Sequence, residues 1–141
     1  MPARQNVFDG TEAAGGYARA VRVGPHVHVS GTTSLDGSGK AIGSDAYAQT
    51  QEIYRKIAAA LAEAGARLEH VVRVTAYITD MSQADGFLRA HKEVFEKICP
   101  AAALIGVTAL LKPELIVEVE AYAIIPTEAD ALFSIDARSG P

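Results

Sequence analysis

The chain has 141 residues, 49% apolar and 21% charged, with 13 Lys and Arg against 17 Asp and Glu for a net charge of −4. That length fits one domain with an ordinary apolar core, and the mildly acidic balance argues against a dedicated nucleic-acid binder, which carries a basic patch. No run reaches the ~18–20 apolar residues of a membrane span, the Met1-Pro2-Ala3-Arg4-Gln5-Asn6 start has no apolar signal core, and the one cysteine, Cys99, has no partner for an internal disulfide. A cytoplasmic protein without a thiolate-bound metal is expected.

Residues 1–14 are polar and rich in Gly and Ala, and are expected to be irregular. A domain over residues 15–126 follows, then a tail over 127–141 whose anchors are Leu132, Phe133 and Ile135. Residues 17–23 read as a strand, Gly24-Pro25 as a turn. Val27 and Val29 alternate with His26, His28 and Ser30, which predicts a second strand in a hairpin with the first. Residues 31–44 are a Gly/Ser/Thr/Asp-rich loop, and Ser44 or Asp45 is placed to cap a helix. That helix carries an apolar stripe of Ile53, Ile57, Ala60, Leu61 and Ala64, and Gly65 fits the left-handed position after its end. The β-branched run 71–78 predicts a strand. A second helix over 82–98 has the stripe Ala84, Phe87, Leu88, His91, Val94, Phe95 and Ile98, and Pro100 stops it. Residues 103–111 and 115–125 read as two long strands joined at Lys112-Pro113-Glu114.

The order β-β-α-β-α-β-β predicts a two-layer α+β domain, a mixed sheet with two helices on one face. The other face is left for solvent or another subunit.

Alternation puts Glu118, Glu120 and Tyr122 on one side of the last strand and Val117, Val119, Ala121 and Ala123 on the other. Two readings fit the paired carboxylates: solvated charge on an open sheet face, or a general acid/base tuned by partial burial. His91 sits inside an apolar stripe, as a core or interface histidine does. His26 and His28 share a strand face, but nothing nearby completes a metal-ligand set. Ser30-Gly31-Thr32-Thr33 closes a strand either as a plain turn or as a nest of backbone N–H groups for a ligand oxygen. No nucleophile elbow, phosphate loop or dinucleotide fingerprint is present, and Cys99 has no designated base.

Taken together, Gly16-Tyr17, Val29-Ser30-Gly31-Thr32-Thr33, Gln49-Thr50, the alanine-rich segment ending Ala64-Gly65-Ala66, Val71-Val72-Arg73-Val74-Thr75, Thr79-Asp80-Met81, Phe95, Pro100-Ala101 and Val117-Glu118-Val119-Glu120-Ala121 resemble the Rid family, also called YjgF, of reactive-intermediate deaminases. The resemblance runs over about residues 15–125. It implies a chorismate-mutase-like fold and a homotrimer whose open sheet faces form a barrel, with small-molecule clefts between subunits. The activity it implies is cofactor-independent hydrolysis of imines and enamines, such as 2-aminoacrylate, to a carbonyl compound and ammonia.

Carried onto this sequence, the resemblance gives catalytic roles to Glu118, Tyr17 and His91. It gives substrate-binding roles to Ser30, Gly31, Thr32, Ala102 and Glu120. The family's arginine after Pro-Ala, which grips a substrate carboxylate through a bidentate pair, is absent: the chain reads Pro100-Ala101-Ala102-Ala103. Arg73, Arg89 and Lys112 are the candidate replacements by sequence proximity. The expectation is an imine/enamine deaminase of altered substrate range. The alternative is a non-catalytic metabolite-binding or regulatory trimer, with ribonuclease or translation inhibition behind both. No metal, nucleic-acid or membrane partner is expected.

Overall fold

Val27 and Val29 point into the protein while His26 and His28 point out of it, and the same alternation runs along residues 117–124 of the same sheet. The computed structural model describes residues 3–127. Its strands are β1 (Gln5–Val7), β2 (Ala20–Val23), β3 (His26–Thr32), β4 (Val71–Ile78), β5 (Ala101–Gly106) and β6 (Val117–Ile124), in spatial order β1-β2-β3-β6-β4-β5. Helices α1 (Ala46–Glu63) and α2 (Ala84–Phe95) pack on each other, and α1 lies against β3 and β6. This is the two-layer α+β architecture expected.

The core is the apolar side of β3, β4 and β6 with the stripe of α1. Val27, Val74, Ala76, Val117, Val119, Ile53, Ile57 and Leu61 are all buried there. Asp45 proves to be the helix cap, its carboxylate accepting from the Ala48 N–H at 2.8 Å. Gly65 follows the helix with φ +83°, a left-handed conformation that spares glycine a Cβ clash. Arg22 Nη1 donates to the freed Ala64 carbonyl at 2.8 Å, tying the helix end to β2.

Four local expectations are corrected. The irregular N-terminus contains β1, in which Val7 pairs with Ala20; one buried apolar residue in a three-residue strand is too short to show periodicity. The first expected strand begins only at Ala20, because residues 17–19 leave a short 3-10 turn (Glu12–Gly15) through Gly16 in a left-handed conformation. Helix α2 stops at Phe95, and it buries Ala90 while Leu88 faces out.

The fourth correction concerns the last two strands, which are not partners. β5 runs parallel to β4 at the sheet edge, whereas β6 inserts antiparallel between β3 and β4. A fully buried side chain holds the crossing chain in place. Gln49 Nε2 donates to the Glu114 carbonyl at 2.8 Å, and its Oε1 accepts from the Ile116 N–H at 2.8 Å. The tail anchors Leu132, Phe133 and Ile135 lie outside the described residues. No helix among the described residues is long and apolar enough to cross a membrane.

Candidate functional site

The registry of β3 against β6 slips by one residue at the centre of the site. Val29 pairs with Ala121 and Thr32 with Val119, so Ser30 and Gly31 together oppose Glu120. Such a bulge bends a strand and re-aims what it carries. Here it brings Gly31 against the carboxylate of Glu118: a Cβ on residue 31 would lie 2.1 Å from Glu118 Oε2. Only glycine allows that approach.

Glu118 is half-buried, and burial pushes its carboxyl above the usual range. The Arg19 guanidinium opposes that shift and the Glu120 carboxylate adds to it, both by less than burial does. Around Glu118 opens a cavity of about 750 Å³, bordered by Tyr17, Arg19, Ser30 and Gly31, the loop after β3, and Glu52, Arg55 and Lys56 of α1. Tyr17 is 51% exposed, and its ring lies 5.8 Å from the Arg19 guanidinium carbon. Ser30 Oγ donates to the Ala18 carbonyl at 2.6 Å, which stitches the bulge to the segment entering β2.

Arg19 is the residue that sequence reasoning missed. It is only 7% exposed. Its Nη2 donates to the Gly31 carbonyl at 2.6 Å, while its Nε is buried without a hydrogen-bond partner. The available signal was a single charge between Ala18 and Ala20 just before a strand. Lys56 stands in the same wall, donating to the carbonyls of Thr33 at 2.7 Å and Leu35 at 3.0 Å. Burial, and then the nearby Arg19, hold its ammonium below the ordinary lysine range.

Residues 9–125 match the family described as endoribonuclease L-PSP. The chain belongs to this family, the YjgF/RutC/Rid family. It is 34% identical over 110 residues to a RutC family protein of Pyrococcus abyssi, covering 77% of this chain and 86% of the relative. A mouse protein (Mus musculus) named 2-iminobutanoate/2-iminopropanoate deaminase is 29% identical over 113 residues, covering 79% and 83%. Among solved structures, a YjgF/YER057c/UK114 family member from Mycobacterium tuberculosis superposes with a TM-score of 0.79 at 44% identity, over 86% of this chain and 99% of that one. The fold is the family's chorismate-mutase-like fold.

Of the residues that the Rid resemblance singled out, the chain gathers Tyr17, Ser30, Gly31 and Glu118 around this cavity. Thr32 is fully buried with its hydroxyl on the Ser30 carbonyl at 2.7 Å, so it braces the bulge and does not face a ligand. Glu120 points from the same sheet face into a neighbouring cavity of about 420 Å³, which it shares with His28, Arg73, Thr75 and Tyr122. Its Oε1 accepts from the Tyr77 hydroxyl at 2.7 Å.

Two expected site residues lie elsewhere in the chain. Ala102 pairs with Val74 on edge strand β5, and β4 separates it from Glu118. His91 lies between the helices, on the other side of the sheet, bonded through Nδ1 to the Tyr54 hydroxyl at 2.7 Å and packed against Phe87 and Phe95. Its aromatic neighbours are what the stripe pattern implied, and burial lowers its pKa.

The three replacement cations also separate. Arg73 joins Glu120, Arg89 sits 3.9 Å over the Tyr47 ring, and Lys112 Nζ donates to the Gly39 carbonyl at 2.7 Å. His26 and His28 both stack on Tyr122.

Proposed function

We propose that this Rid-family chain assembles as a homotrimer and hydrolyses a small imine or enamine to a carbonyl compound and ammonia, with no cofactor. The observation that carries the reading is Glu118: a carboxylate pushed up by burial, fixed against a glycine, on the wall of an open cavity. A carboxyl raised toward neutrality is suited to exchanging protons with water. The family's other members support the reading through the relative named as a 2-iminobutanoate/2-iminopropanoate deaminase.

The chemistry asks little of the protein beyond positioning. A protonated imine carbon is already electrophilic. Glu118 takes a proton from a water as its oxygen bonds to that carbon, giving a carbinolamine. The same carboxyl returns the proton to nitrogen. The carbon–nitrogen bond then breaks, ammonia leaves, and the remaining hydroxyl loses its proton to become the carbonyl. Tyr17 supplies a hydrogen bond from the open side of the cavity. In the trimer, Ala102 of one protomer would reach a cleft only across a subunit boundary.

A methyl group at Ala102, where the resemblance places an arginine, supports a second reading: a trimer that binds a metabolite without turning it over. Ammonia release separates the two. Freshly generated 2-aminoacrylate and an uncharged imine are offered to wild-type protein and to Glu118→Gln. The hydrolase reading expects release by wild type and a fall of about 10²–10⁴-fold in the variant. Intact trimers that release no ammonia from either compound leave metabolite binding as the function. Ribonuclease action has the least support, because a net charge of −4 offers phosphates no general attraction.

A further inference from the structure

We propose that Arg19 is the anion clamp of the Glu118 cavity, binding the carboxylate of a small ligand in place of the arginine missing at position 102. The proposal rests on the reading of this cavity as the ligand site.

The first support is an unbalanced charge. Arg19 is 7% exposed, yet the ion pairs among the described residues are Arg55 with Glu52 and Arg67 with Glu69, and Arg19 is in neither. A buried cation without a counter-ion is costly to keep. One nitrogen is held by the Gly31 carbonyl and another is buried with no partner. Arginine's planar fork matches a carboxylate through two parallel bonds.

None of the described acids around the cavity forms an ion pair with Arg19. Glu12 Oε1 accepts from the N–H groups of Asp9 at 2.7 Å and Gly10 at 3.0 Å. Asp36 is engaged by Ser38 and Lys40 of its own turn, and Glu52 by Arg55. Asp9 acts on Arg55 and Lys56. Glu118 feels Arg19 but forms no ion pair with it, and Lys56 adds a second cation to the wall.

The second support is placement. Arg19 and Glu118 meet at one residue, since the guanidinium binds the Gly31 carbonyl and the carboxylate lies against the Gly31 α-carbon. A carboxylate on Arg19 therefore presents the carbon next to it toward Glu118. An imine carbon adjacent to a carboxylate is the group hydrolysis needs there.

The probes are pyruvate and pyruvamide, which share a shape and differ in charge, titrated by calorimetry or NMR into the assembled protein. Wild type is expected to bind pyruvate at least about tenfold tighter than pyruvamide. Arg19→Gln should abolish that preference, with pyruvate losing at least about tenfold in affinity, since truncating one partner of a buried charged pair removes this much or more. Arg19→Lys should weaken pyruvate binding part-way, and it decides the matter if Arg19→Gln does not fold. Equal binding of the two probes by wild type overturns the proposal, as does a pyruvate affinity that Arg19→Lys or a folded Arg19→Gln leaves unchanged. Ammonia release from an uncharged imine with no pyruvate preference would remove the clamp and keep the hydrolase. A pyruvate preference with no ammonia release would do the reverse.

Discussion

At Gly31 the space available is smaller than a methyl group. A Cβ there would stand 2.1 Å from Glu118 Oε2, so alanine must displace the carboxylate or bend the bulge. Gly31→Ala is expected to push the flexible Glu118 carboxylate aside at little cost in stability. It should also lower ammonia release about 10²-fold by moving the carboxylate, with thermal melts and initial rates as the measurements. Glu118 itself is held against its own preference. Its raised pKa means that the folded state binds more protons than the unfolded one, so its contribution to stability falls as pH rises from the ordinary glutamate value of 4.5. Glu118→Gln should therefore melt higher than wild type near neutral pH, with the difference closing as the pH is lowered toward 4.5. A variant that melts lower at every pH would show that the carboxylate is stabilised by its surroundings.

The helix pair carries a titration of the opposite sign. His91 is wedged between α1 and α2, bonded to Tyr54 and edged by Phe87 and Phe95, and burial depresses its pKa from 6.5. The folded state then binds fewer protons than the unfolded one, so stability drops as pH falls below about 6.5. His91→Gln removes the charge change and should flatten the melting curve through this range. The cap of α1 is simpler. Asp45→Ala leaves the Ala48 N–H without its acceptor, and a loss of about 1 kcal/mol in denaturant unfolding is expected.

For the whole molecule, the sheet is finished on one face only. The face away from the helices holds Val23 at 47% exposure and Ile105 at 43%, with Ala101 and Ala103 on the same side of β5. Between them lie the polar rows of Glu118, Glu120 and Tyr122 on β6 and Arg73, Thr75 and Tyr77 on β4. Such a mixed surface suits a wet interface between copies better than a dry core. Under the proposed trimer, Ala103→Glu places an extra charge in that contact. Light scattering should show a shift toward single protomers while circular dichroism stays that of the folded chain. If the mass stays unchanged and is that of one protomer in both proteins, the trimer and its shared cleft fail together.

Local spacing in the chain was enough for the helices, their stripes and caps, and the face shared by Glu118, Glu120 and Tyr122, because a period of 3.6 or 2 is written in neighbouring residues. Joined to the family motifs, it also carried the fold and named Tyr17, Ser30, Gly31 and Glu118, which border one cavity. Tertiary pairing decided the rest. β5 and β6 adjoin in sequence but not in the sheet, which leaves Ala102 a strand away from Glu118, with which it was expected to line a cleft. His91 reads the same in a stripe whether its helix faces a cleft or another helix. Arg19 looks like one surface charge among several until the bulge at Ser30 and Gly31 closes over it. Periodicity fixes which way a side chain points along its own element. What it meets there depends on contacts between distant parts of the chain, and only the folded structure holds those.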